Sequence, residues 1–250
     1  MTNQATPNGS VSGMNTMVSR LGLWSAVLTA IFAAAFFALG IATPARSGPI
    51  ANAPIIPYPY TRGVESFIPG DYLWLYPGIL LALTFVVLMA CIHYYASDDK
   101  KVFSLIGLSF AVIYATLIIA NYFIQFTIVI PSILSGETSG LSLFTQYNPH
   151  GIFISFEVLG YLMMSVAFLF AAAVFAGSRL ERAIHWLFFT DFVVVVGSFI
   201  ILSLLRYDLV AFEVTVLTIN WIVLIVSGAL LSIVFKRAGE HLSRNQHVSA

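Results

Sequence analysis

Charge is what this chain has least of. Only 9% of its 250 residues are Asp, Glu, Lys or Arg, against about a quarter in a soluble domain. With so little polar surface, the chain is not built to face water on all sides. The 11 basic and 11 acidic residues cancel, which removes the basic excess that nucleic-acid binding requires. Cysteine is equally scarce. Cys91 stands alone, so there is no intramolecular disulfide, CxxC redox pair or cysteine-rich zinc site. Its place inside an apolar run reads as a small buried hydrophobe. A Gly-rich phosphate loop, an HExxH pair, a GxSG serine motif and paired mid-span histidines for haem are all missing. No cofactor is expected. His150, Glu157 and Asp71 are conceivable metal ligands, but their spacing is not diagnostic.

What the chain has in excess is hydrophobic length. Hydrophobic residues make up 59% of it, and the mean hydropathy is +0.93. Six apolar stretches, near residues 21–42, 72–95, 102–130, 151–176, 184–205 and 212–235, are each long enough to cross a bilayer core, which takes about 20 residues of helix. The runs are continuous and do not alternate at period two, which favours helices over a barrel. The expected fold class is an all-α membrane protein, a six-transmembrane-helix bundle embedded in the lipid bilayer. Residues 1–20 are read as a disordered tail, 21–235 as the membrane domain with outer loops 43–70 and 131–150, and 236–250 as a basic tail. The first stretch precedes Ala-Thr-Pro-Ala at 42–45 and could be mistaken for a cleaved signal. Its apolar core is longer than the roughly 7–15 residues of a signal peptide, so it is read as a retained span.

Six spans place both termini on one side. Assigning that side to the cytoplasm gathers Arg20, Lys100, Lys101, Arg179, Arg182, Lys236, Arg237 and Arg244 there, and leaves Arg46, Arg62 and Arg206 outside. This is the sense of the positive-inside rule, and it gives N-in, C-in. On the outer side, residues 43–70 hold Pro44, Pro49, Pro54, Pro57, Pro59 and Pro69, which argues for an extended, partly rigid loop. Tyr58, Tyr60, Phe67, Tyr72, Trp74 and Tyr76 fit an interfacial aromatic belt. No internal repeat of the three-plus-three kind is visible.

The first span carries Ala26, Ala30 and Ala34 at four-residue spacing, and small residues let helices approach closely. Packing within the bundle explains them by default. A homo-oligomer or membrane-complex partner docked on this face is the alternative, and the stripe is similar to the first helix of energy-coupling-factor substrate-binding subunits, which dock a partner that way.

The polar groups inside the apolar runs are the candidate site. In the fourth span Asn148 is expected to cap the helix and Pro149 to occupy its first position. His150, Glu157 and Tyr161 then share one face, with Gly160 leaving room beside Glu157 for a neighbouring helix. An intramembrane carboxylate costs roughly 2.5–3.5 kcal/mol on insertion scales, so Glu157 should face the bundle or a wet cavity. Asn121 and Gln125 in the third span and Asn220 in the sixth reach comparable depth. These residues are expected to form an outward-open polar cluster, with Asp71 at its rim. The bland alternative is that Glu157 fixes helix register and that Asn121 and Gln125 are interhelical hydrogen-bond residues. Asp191 is the second intramembrane acid, with His93 as its expected ion-pair partner.

The segments DYLWLYP and SGETSGLSLFTQYNPHGIFISFEVLGYLMMS, with the six-span plan, resemble a group of uncharacterised bacterial integral membrane proteins. That resemblance implies a bacterial inner-membrane setting and transfers no catalytic residue. Three functional classes follow: small-solute or proton-linked transport or binding through Glu157; a membrane enzyme acting on a lipid or isoprenoid with Glu157 and His150 as acid–base pair; and a non-catalytic subunit of a membrane complex.

Overall fold

The computed structural model describes residues 15–248; the expected tail therefore lies outside the described residues up to position 14. Six long helices cross the molecule in alternating directions. They are α1 (Thr16–Ala42), α2 (Leu75–Tyr95), α3 (Lys101–Ile124), α4 (Ile152–Ala172), α5 (Arg179–Ser198) and α6 (Leu209–Val248). All six are long and apolar enough to span a membrane, and no strand occurs among the described residues. The chain is thus compatible with a multi-pass membrane protein. The helices form a ring in sequence order: each packs on the one before and after it, and α1 closes the ring against α6.

Helix starts follow local chemistry. The Asn15 side chain accepts from the Val18 amide at 2.9 Å, which starts α1 inside the segment expected to be a loose tail. Ser178 and Glu181 form a capping box at the start of α5, satisfying amides that have no helical partner. Asp208 accepts from Ala211 N at 2.9 Å and so caps α6. The fourth span departs from expectation. Asn148 is not its cap: its amide donates to Ser142 O at 2.8 Å and its Oδ1 accepts from His150 N at 3.0 Å. This local turn keeps Pro149 and His150 in the loop, and α4 begins only at Ile152.

The C-terminal end of α3 widens into a π-helical turn, Gln125–Val129, and finishes as a short α-helical segment, Ile130–Leu134. Pro131 supplies the reason. It has no N–H for the carbonyl four residues earlier, and a wider turn re-registers the ladder around it. A second π-helical stretch, Phe199–Leu205, ends the fifth span. At the other extreme α6 has 40 residues, about 60 Å of helix, and continues through the basic Lys236-Arg237 segment well past a bilayer core.

The packing separates two kinds of apolar surface. Phe36, Phe85, Tyr114, Phe168, Phe188 and Phe235 are fully enclosed between helices. Outward-facing Leu21, Trp24, Ile31, Leu83, Leu105 and Trp186 leave large apolar areas uncovered, an apolar surface suited to lipid rather than water. Close approach of α1 and α6 depends on Gly228: a Cβ there would lie 2.7 Å from Ala26 O and 2.9 Å from Ala30 Cβ. Ala26 and Ala30 therefore face α6 of the same chain, and Ala34 is exposed. Gly160 receives Ile118 of α3 in the same way, with a Cβ position 2.9 Å from Ile118 Cδ1.

The loop between α1 and α2 is a folded cap, not a free strap. Ile56 and Val64 are buried under it, and short 3-10 turns, Val64–Phe67 and Gly70–Tyr72, lead into α2. The aromatic belt expected at 58–76 is only partly peripheral. Tyr58 and Tyr76 are exposed, but Tyr72 is buried and Trp74 stacks on Phe36 at 5.3 Å between centroids. The apolar bodies of Tyr72 and Trp74 find protein partners once the loop folds back onto the helix ends.

Candidate functional site

At the loop end of the bundle, the tips of α1, α4 and α6 diverge and leave a cavity of about 220 Å³, roofed by residues 43–50 and 146–149. Its floor is acidic. Glu157 stands five residues into α4 and Glu213 four residues into α6, so both lie about 6–8 Å inside their helices from the same end. Both carboxyl groups face the same cavity. Two carboxylates that face one low-dielectric cavity disfavour each other's charge, which favours a proton on one of them. Glu157 is enclosed to 1% exposure, and its Oε1 also accepts from the Tyr122 hydroxyl of α3.

An aromatic cluster fixes that geometry. Tyr122 packs edge-on to Trp74 at 5.6 Å and lies stacked with Phe153 at 5.8 Å, while Phe36 meets Trp221 edge-on at 4.8 Å. Trp74, Phe153 and Trp221 are also walls of the cavity. Trp221 donates its indole N–H to the Tyr161 hydroxyl at 3.2 Å. The rings hold the cavity open with apolar faces and leave polar atoms only at the floor and rim.

The rim carries a buried ion pair. Arg46 grips Asp71 through Nε to Oδ2 and through Nη2 to Oδ1 at 3.1 Å, and its guanidinium lies 3.5 Å over the Phe67 ring. Tyr147 donates its hydroxyl to Asp71 Oδ2 at 3.0 Å. The bonded carboxylate pushes the Arg46 pKa further up, so the guanidinium stays charged. Burial above all, with Tyr72 and Asp71 beside it, raises the Tyr147 hydroxyl well beyond the usual tyrosine range.

The expected polar cluster is dispersed. Of its members only Glu157 lines the cavity. The Asn121 amide donates to Phe153 O at 2.9 Å, tying α3 to α4. The Gln125 amide donates to Phe144 O at 2.7 Å, and its Oε1 is buried without a partner. Asn220 bonds back to Val216 O at 2.9 Å and accepts from Ser165 at 3.4 Å. Tyr161 is fully buried a turn deeper than Glu157. His150 is exposed and belongs to a separate surface hollow with Arg206 and Asp208, so it does not form a pair with Glu157. Asp71 does sit at the rim, but it is occupied by Arg46. Among the described residues no group of three His, Cys, Asp or Glu side chains could hold a metal.

The pairing of Asp191 with His93 is corrected. His93 Nδ1 bonds with Ser104 Oγ at 2.8 Å, on the α2–α3 side of the ring. Asp191 lies on α5, enclosed to 1% exposure. The nearby Ser165 hydroxyl is directed to Asn220, and both oxygens of Asp191 lack a hydrogen-bond partner.

Glu213 is the residue that reading by runs missed. It sits at the edge of the sixth apolar stretch, where an acid passes for an interfacial one. The available signal was depth: counted from the same membrane face, Glu157 and Glu213 fall at one level. Arg46 gave no signal, since its partner depends on how a proline-rich loop folds. The chain matches no family model, no curated protein and no solved structure.

Proposed function

We propose that this is a bacterial inner-membrane protein whose outward-facing cavity binds a small solute and couples its movement to a proton. The observation that carries the reading is the convergence of Glu157 and Glu213 on the lining of one cavity. A carboxyl pair within a low-dielectric, accessible site is a proton-binding device, and intramembrane acids of this kind mark ion and proton pathways. The eight basic residues at the end opposite the cavity support placing that end, with both termini, in the cytoplasm. Asp191, unpaired at the inner half of α5, supplies a second proton-accepting position at another depth. The acid–base enzyme reading has no comparable support, because His150 and Glu157 are not brought together.

The test is proton movement in reconstituted vesicles. With a pH-sensitive dye trapped inside and a pH gradient imposed, wild-type protein should conduct protons, and Glu157→Gln and Glu213→Gln should each reduce the flux at least about tenfold, the scale expected when a required proton site is lost. Flux that persists unchanged in both variants, at equal incorporation, ends the reading.

A further inference from the structure

The charge balance of the cavity selects a class of occupant, an inference that rests on reading this cavity as a solute site. We propose that it takes a small monovalent organic cation, an ammonium the size of tetramethylammonium, in competition with a proton at Glu157 and Glu213.

Four observations converge. First, the cavity wall contains one basic side chain, Arg46, and its charge is spent on Asp71 through two hydrogen bonds. That pair contributes no net charge. Glu157 and Glu213 are the remaining ionisable carboxyl groups of the wall, and ionisation of either one leaves the wall with a net negative charge. No cationic side chain faces them. Uncompensated negative charge beside the buried Glu157 is costly, and either a proton or a cationic ligand relieves it.

Second, the walls suit a soft cation. Trp74, Trp221, Phe153 and Tyr147 line the cavity, and aromatic faces attract alkylammonium ions whose hydration is weak enough to give up. A divalent metal is a poor match, because it requires about six oxygen ligands and aromatic walls offer none. An anion would meet the carboxyl pair at the floor. Third, the space fits. A cavity of about 220 Å³ exceeds the roughly 150 Å³ that accommodates benzene, which admits a tetramethylammonium-sized group and little more.

Fourth, the titratable surroundings make the competition simple. Around the pair, Tyr122 of α3 donates to Glu157, and Arg46 and Tyr147 from the loops line the same cavity; α1 and α5 contribute no titratable group to the cavity wall. A phenol ordinarily titrates at about 10 and a guanidinium above about 12, so the carboxyl pair is the element of the wall that changes charge near neutrality. Lowering the pH adds a proton and expels the cation. Raising it restores the negative charge and the site. Cation entry therefore releases up to one proton, and the exchange balances charge without any other reactant.

Calorimetry on the full-length protein in detergent tests this, with tetramethylammonium chloride as ligand and tert-butanol as an uncharged analogue of the same shape and heavy-atom count. The cation should bind at least about tenfold more tightly than the alcohol. Its Kd should rise toward tenfold per unit fall in pH, the limit for competition with one proton. Comparing buffers of different ionisation enthalpy should show proton release on binding. Glu213→Gln should weaken binding at least tenfold. Leu217→Trp, which leaves both acids in place and fills the cavity, should abolish it, so the proposal stays testable if the acid variants fail to fold. Equal binding of the alcohol and the cation, both blocked by Leu217→Trp, would overturn the charge selection and leave a solute cavity standing. Cation binding that is independent of pH would overturn the competition. Binding of neither ligand would overturn both this proposal and the solute reading beneath it.

Discussion

At the scale of single residues, the molecule treats its buried acids in three ways. Asp71 is neutralised by Arg46 and further satisfied by Tyr147. Glu157 accepts from the Tyr122 hydroxyl and shares its cavity with the half-buried Glu213. Asp191 is satisfied by nothing among the described residues. An unsatisfied buried polar group costs roughly 1–3 kcal/mol, so Asp191→Leu should raise stability by about that amount, read as a higher Tm in detergent. A fall in Tm would reveal a partner that Asp191 holds in the folded protein. Glu157 was legible in the sequence because a carboxylate interrupts a long apolar run. Its partners were not. Asn121 and Gln125 have the right depth, but their amides are taken by the backbone carbonyls of Phe153 and Phe144, choices fixed by helix rotation and loop path and invisible to spacing.

At the scale of elements, composition carried the helices and packing decided their arrangement. The six apolar runs correspond to six helices, because a run of some 20 apolar residues without strong breakers has no other way to satisfy its backbone in lipid. Their ends were less legible. A side-chain turn at Asn148 delays α4 to Ile152, and a cap at Asn15 advances α1 to Thr16. The seam between α1 and α6 relies on the small residues Ala26, Ala30 and Gly228. Gly228→Ala would press a methyl against the Ala26 carbonyl and should destabilise by about 1–3 kcal/mol, the usual cost of overpacking. An unchanged melting temperature for that variant would mean that the two helices are not held at this separation. The alanine face is used within the chain at Ala26 and Ala30, and Ala34 is exposed.

At the scale of the whole molecule, the two ends of the bundle differ. One end carries short charged turns and most of the basic residues; the other carries the folded proline-rich cap, the Arg46–Asp71 pair and the acidic cavity. The proposed orientation has a direct check in intact cells. In a Cys91→Ser background, Ser139→Cys should react with a membrane-impermeant maleimide, and Arg182→Cys should react only after lysis. The reverse pattern would put the cavity on the cytoplasmic side and invert the direction of any coupling.

The measurement closest to the centre of the matter is infrared difference spectroscopy of the carboxyl pair. The protonated-carboxyl C=O stretch should be present at neutral pH in wild-type protein, altered or lost in both Glu157→Gln and Glu213→Gln, and diminished when tetramethylammonium is added. A stretch that is unchanged in both variants would show that these two residues share no proton, and would remove the basis for proton-linked binding at this site.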